Sequence, residues 1–141
     1  MTLRRCLASL AAAIALIFIW AGCGNAAMDR STVNVKHITQ NEFEAGVIRS
    51  PQPVVVDFYA TWCGLCRELS PELDRIAGGY TNQIKFVKVN YDEAPALVKQ
   101  YEIDALPVVL LFKEGKVKDK LLGVATEGEL MTAFERLKAS N

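Results

Sequence analysis

Cys63 and Cys66 stand three positions apart in the stretch DFYATWCGLCRELSP, Asp57 to Pro71. Two thiols at that spacing have three chemistries open to them: a structural disulfide, half of a metal site, or a dithiol that cycles between reduced and oxidised forms. Metal is poorly served. A structural zinc takes four Cys or His ligands, and beyond the N-terminal segment the chain offers only these two cysteines and His37, distant in sequence. Covalent haem requires C-x-x-C-H, and position 67 is arginine. A structural bridge over two intervening residues closes a very short loop, so it removes little entropy from the unfolded chain. The redox reading draws on placement. Cys63 follows an apolar, β-branched run and opens a helical pattern, where unpaired amides and the positive end of the helix dipole favour a thiolate. Cys66 lies one turn on, on the same face. A thiolate with a second thiol in reach is the minimal dithiol–disulfide centre.

The elements that must position this pair alternate along the chain. Val33–Ile38 reads as a short strand. Thr39 with Glu42 forms a capping box that starts a helix. Pro53–Ala60 reads as a strand buried on both faces. A helix follows from about Cys63 to Ala77, with Pro71 expected to kink it and Gly78–Gly79 to end it. Ile84–Asp92 alternates as a strand, and Ala94–Tyr101 is a short helix. Val108–Gly123 reads as a hairpin around Glu114–Gly115, and Thr126 with Glu129 caps a last helix to about Lys138. The order β-α-β-α-β-α-β-β-α predicts an α/β fold, a mixed sheet covered by helices on both faces. Val55, Phe58, Tyr59, Phe86, Val87, Val109 and Leu111 are expected in the core, and His37 in a structural or solvated role.

The chain has 141 residues, with sixteen basic and sixteen acidic side chains. It carries no basic stripe or long charge run, so nucleic acid is not an expected partner. Residues 1–23, MTLRRCLASLAAAIALIFIWAGC, join a basic pair to an apolar run and a small-residue exit, the pattern of a secretory signal. WAGC, Trp20–Cys23, resembles the bacterial lipobox, although Trp20 stands where an aliphatic residue is usual. That resemblance implies a lipidated Cys23 as the mature N-terminus; ordinary signal cleavage nearby and an uncleaved anchor are the alternatives. Cys6 falls within the signal. Residues 24–32 read as a flexible tether and residues 33–141 as the folded domain. Every version places the domain outside the cytoplasmic membrane, facing a periplasm or equivalent space.

The stretch DFYATWCGLCRELSPELDRIA resembles the thioredoxin family, whose pattern is Asp-Phe-(Trp/Tyr)-Ala-x-Trp-Cys-Gly-Pro-Cys, and the likeness extends from about Val35 to Ala139. The resemblance implies a thioredoxin fold with the Cys63–Cys66 pair as its redox centre, and neither cofactor nor metal. Cys63 would attack a substrate disulfide and Cys66 resolve the mixed disulfide. Asp57 matches the family's buried carboxylate, a base for Cys66 with a proton affinity raised by burial. Lys88 matches the lysine beside that acid. Trp62, Gly64, Leu65, Leu106, Pro107 and Gly123 fall at the substrate-docking rim, with Pro107 in the family's cis position. Two departures bear on direction: Gly64–Leu65 replaces Gly-Pro between the cysteines, and Val108 replaces the threonine after the cis-proline. No histidine lies between the cysteines, unlike the strongly oxidising and isomerising members. The expectation is a monomeric, membrane-tethered disulfide reductase for exported proteins, fed electrons by a membrane thiol relay. Net oxidase or isomerase activity, and a non-enzymatic binding module using the same groove, are the alternatives.

Overall fold

The computed structural model describes residues 35–140. The expected signal segment with Cys6, the lipobox Cys23, the tether and the first residues of the domain lie outside them. A five-stranded mixed sheet forms the middle layer: β1 (Lys36–His37), β2 (Val54–Tyr59), β3 (Lys85–Asn90), β4 (Val108–Lys113) and β5 (Lys116–Leu122). Their spatial order is β1-β3-β2-β4-β5, with β1 and β2 parallel to β3, β4 antiparallel to β2, and β5 antiparallel to β4. The helices are α1 (Gly64–Ala77), α2 (Pro95–Gln100) and α3 (Glu127–Ala139).

Side chains alternate across a pleated strand, and that parity divides the core. Val54, Val56 and Phe58 of β2, Val87 and Val89 of β3, and Val108, Leu110 and Phe112 of β4 pack on one face with Phe43, Val47, Leu97 and Ile103. Val55, Val109 and Leu111 pack on the other with Leu69, Leu73 and Ile76 of α1 and Leu130, Phe134 and Leu137 of α3. Asp57 follows Val55 by two residues, and Lys88 follows Phe86 by two. Both therefore point to the face that α1 covers.

The first helix is altered from its expected form. Thr39 and Glu42 do make the capping box, but it opens a 3-10 turn, Gln40–Glu42, continued by a π-helical turn at Glu44–Ile48. Phe43 and Val47 are buried from this segment at a spacing that α and π turns share, so the hydrophobic pattern does not distinguish them. The first strand is short because it sits at the sheet edge and pairs with β3 over two residues only. α1 runs through Pro71 and gives way to a 3-10 turn at Gly78–Tyr80. Tyr59 and Phe86, expected in the core, are half-buried at its margins.

The hairpin turn is compact. Lys113 pairs with Lys116 across Glu114 and Gly115, both with positive φ. That is the backbone twist a two-residue hairpin requires. A Cβ at Gly115 would also lie 2.8 Å from the Ile48 carbonyl oxygen, so glycine is demanded there twice. On the opposite strand side, a bulge between Leu111 and Phe112 leaves Lys118 as the extra residue of β5.

Candidate active site

β2 ends at Tyr59, and a tight turn delivers Cys63 to the N-terminus of α1. Cys63 is the cap of that helix, and its sulfur accepts a hydrogen bond from the Cys66 amide at 3.1 Å. Cys63 and Cys66 are joined by a disulfide, with their Cα atoms 5.3 Å apart. Both are buried, packed with Ala60, Leu106, Tyr59 and Tyr91. The helix end thus supplies its amides and its dipole to the Cys63 sulfur, the arrangement that stabilises a thiolate there when the bridge is reduced.

One turn along α1 from Cys66, Ser70 reaches Asp57, which is 2% exposed. Its Oδ2 accepts a hydrogen bond from Ser70 Oγ at 2.7 Å, and its Oδ1 has no partner among the described residues. Burial pushes its pKa up to about 6, against opposing pulls from the Ser70 hydrogen bond and the Lys88 charge. A carboxylate titrating there is ionised at neutral pH yet basic enough to take a proton from a neighbour.

Lys88 is buried and lies directly beside Asp57 in the parallel register of β2 and β3. Its ammonium lies 2.8 Å from both carboxylate oxygens of Asp74 on α1. Cys66, Ser70 and Asp74 follow one another at four-residue intervals, so they form one stripe of the helix. That stripe walls an open cleft of about 430 Å³, lined also by His37, Tyr59, Arg67 and Lys88. His37 Nδ1 bonds the Tyr59 hydroxyl at 2.9 Å at its edge.

Of the expected docking residues, Leu106 packs against the disulfide, and Trp62, Gly64 and Leu65 are its neighbours in sequence. Trp62 is 64% exposed, and its indole N–H donates to Asp92 at 2.9 Å while its ring meets Tyr91 edge-on. Leu65 is 48% exposed, on the first turn of α1. Gly64 opens that helix, and a Cβ there would meet only Arg67 at 3.7 Å, so sterics do not demand glycine. The Leu106–Pro107 peptide is cis, the geometry the resemblance implies. Neither the amide nor the carbonyl of Leu106 is bonded to backbone among the described residues. Gly123 donates its amide to the Pro107 carbonyl at 2.9 Å and has φ +75°, with open space where a Cβ would stand.

The family model described as Thioredoxin matches residues 34–136. The chain belongs to the thioredoxin family. It is 39% identical over 99 residues to Thioredoxin 1 of Synechococcus elongatus, covering 70% of this chain and 92% of that one. It is 36% identical over 104 residues to the thioredoxin of Pyropia yezoensis, covering 74% and 97%. With the chloroplastic Thioredoxin M4 of Arabidopsis thaliana it shares 36% identity over 106 residues, 75% of this chain but 55% of that longer one. A thioredoxin is a disulfide reductase whose redox centre is its own cysteine pair, and Cys63–Cys66 occupies that place here.

Ser70 and Asp74 escaped the sequence reading. Both are ordinary polar residues in an amphipathic helix. Only their four-residue spacing from Cys66 was available as a signal, and that spacing has no meaning until the helix face it occupies is known. Asp92, the anchor of Trp62, was likewise unreadable, because it lies thirty residues away.

Proposed function

We propose that this thioredoxin reduces disulfides in exported proteins while tethered to the outer side of the cytoplasmic membrane through Cys23. The observation that carries the reductase direction is the site itself: a buried Asp57 oxygen with no partner among the described residues, on a carboxylate held by Ser70 one turn from Cys66, and a cysteine pair with no histidine between its members. In the reduced protein Cys63, at the helix start, attacks a client disulfide and forms a mixed disulfide. Cys66 gives its proton to Asp57, attacks Cys63 Sγ, and releases the client as a thiol. Lys88, held by Asp74, favours the ionised form of Asp57. The client lies as an extended segment against the free backbone of Leu106 beside Pro107, flanked by Trp62, Gly64, Leu65 and Gly123.

Each turnover leaves the Cys63–Cys66 bridge oxidised, and two electrons must restore it. In a compartment that tends to oxidise thiols those electrons come from a membrane thiol relay. The apolar segment ending in WAGC supports the export reading, because a cysteine at the exit of such a run is an acceptor for lipid. The deciding measurement is the reduction potential of the Cys63–Cys66 pair against glutathione. A pair more reducing than glutathione is expected; a more oxidising one assigns the protein to net oxidation instead. Mass spectrometry of the mature N-terminus is expected to show a lipidated Cys23.

A further inference from the structure

The carboxylate of Asp57 has two oxygens in different circumstances. One, Oδ2, is held at 2.7 Å by the hydroxyl of Ser70, and the other, Oδ1, has no hydrogen-bond partner among the described residues. The charge that the resemblance sets beside Asp57 is engaged elsewhere: Lys88 donates to Asp74 Oδ2 at 2.8 Å and lies within ion-pair distance of its Oδ1. Ser70 is thus the side chain that hydrogen-bonds Asp57, and it does so from the same helix stripe as Cys66, one turn away. It also reaches the surface of the cleft, which Asp57 does not line.

We propose that Ser70 is a positioning residue for the resolving step: by occupying Oδ2 it fixes the carboxylate so that Oδ1 is the basic oxygen left for the proton of Cys66. The proposal rests on Asp57 being the base. The reduced Cys63 thiolate attacks the substrate disulfide, forming the Cys63–substrate bond and expelling one substrate thiolate. The Cys66 thiol passes its proton to Asp57 Oδ1. The Cys66 thiolate then attacks Cys63 Sγ, forming the Cys63–Cys66 bond and expelling the second substrate thiolate, so two electrons pass from the cysteine pair to the substrate. Asp57 afterwards yields its proton to solvent through the cleft that Ser70 lines. The groups facing Asp57 are Ser70 and Asp74 from α1 and Lys88 from β3; His37, Tyr59 and Arg67 line the remainder of the cleft.

The test uses reduced protein and the aromatic disulfide dithiobis-nitrobenzoate. Stopped-flow absorbance separates release of the first aromatic thiolate, by Cys63, from release of the second, by Cys66. In Ser70→Ala the first release is expected to stay at the wild-type rate. The second is expected to fall about tenfold even near about pH 8, where the carboxylate is ionised in either protein, because misplaced catalytic groups lose rate steeply. Its pH midpoint is expected to rise by about 1 pH unit, since a hydrogen bond to a charged group that is lost makes the carboxylate a stronger base. Carbon-13 NMR of the Asp57 carboxyl should show the same displacement. Ser70→Thr, which keeps the hydroxyl, should restore both rate and midpoint. A wild-type second release in Ser70→Ala overturns the proposal, whether or not the NMR midpoint moves. Asp57→Asn separates the two levels: if it is slow in the second release while Ser70→Ala is not, positioning by Ser70 alone is wrong. If Asp57→Asn also releases at the wild-type rate and pH profile, the base reading itself fails and takes the proposal with it.

Discussion

Replacing Asp57 by asparagine should make the protein more stable at neutral pH and less active. An ordinary aspartate titrates at 3.8, and burial holds Asp57 at about 6. At ~1.36 kcal/mol per pH unit, that gap is a cost of about 3 kcal/mol for carrying the ionised carboxylate in the folded state. The sign follows from proton binding. Between the two values the folded state holds a proton that the unfolded chain has lost, so stability contributed by this group is complete below 3.8 and is lost as pH rises through about 6. Asparagine nearly keeps the shape, retains an acceptor for Ser70 Oγ, and carries no charge at any pH. Urea unfolding of the oxidised wild type and Asp57→Asn, followed by far-UV circular dichroism, is the assay. The variant should gain about 3 kcal/mol near about pH 8, and the gain should shrink towards zero near about pH 3. In thermal scans that gain amounts to roughly 10–20 °C for a domain of this size. An equal gain at both pH values would refute the reasoning, because it would locate the effect in packing rather than ionisation. No gain near neutral pH would refute it too, since the buried charge would then have adequate partners.

Cys66→Ala, with Cys63 retained, should accumulate client proteins as mixed disulfides on non-reducing gels, because the resolving thiol is gone; Cys63→Ala should trap none. Lys88→Met should move the Asp57 titration to higher pH and Asp74→Asn should move it to lower pH, read by NMR, since the ammonium favours the carboxylate's charge and the neighbouring carboxylate opposes it. Lys88→Met should also cost about 1–3 kcal/mol in denaturant unfolding, less than a fully buried pair because Asp74 is partly exposed. Gly115→Ala should destabilise by about 2–4 kcal/mol and Gly123→Ala by only about 1 kcal/mol. Both have positive φ, but only at Gly115 does the new methyl strike a backbone oxygen.

Much of the architecture was open to reading because it is written in short-range patterns. Thr126–Glu129 announces α3 through a capping box whose two hydrogen bonds close within one turn, and the structure contains both. Gly115 announces the hairpin because glycine accepts the positive φ the turn requires; Glu114 adopts a positive φ without being a residue that favours it. Cys63 and Cys66 declare a dithiol because three positions on a helix are one turn, whatever the fold around them. The segment after Thr39 reads less well. Its box is local and holds, but the choice among α, 3-10 and π turns depends on where Phe43 and Val47 find their cavities.

The sequence by itself determined that two thiols share a helix start, that an acid enters a strand otherwise apolar, and that strands and helices alternate. Only the tertiary structure decided which groups that acid meets. The parallel register that sets Asp57 beside Lys88 brings together residues thirty-one positions apart, and nothing in either strand names its partner. The turn of α1 over the sheet then hands Lys88 to Asp74 and gives Asp57 to Ser70. These pairings depend on packing a helix face against a strand face. They are long-range geometry, and a polar side chain carries no local mark of the neighbour it will meet.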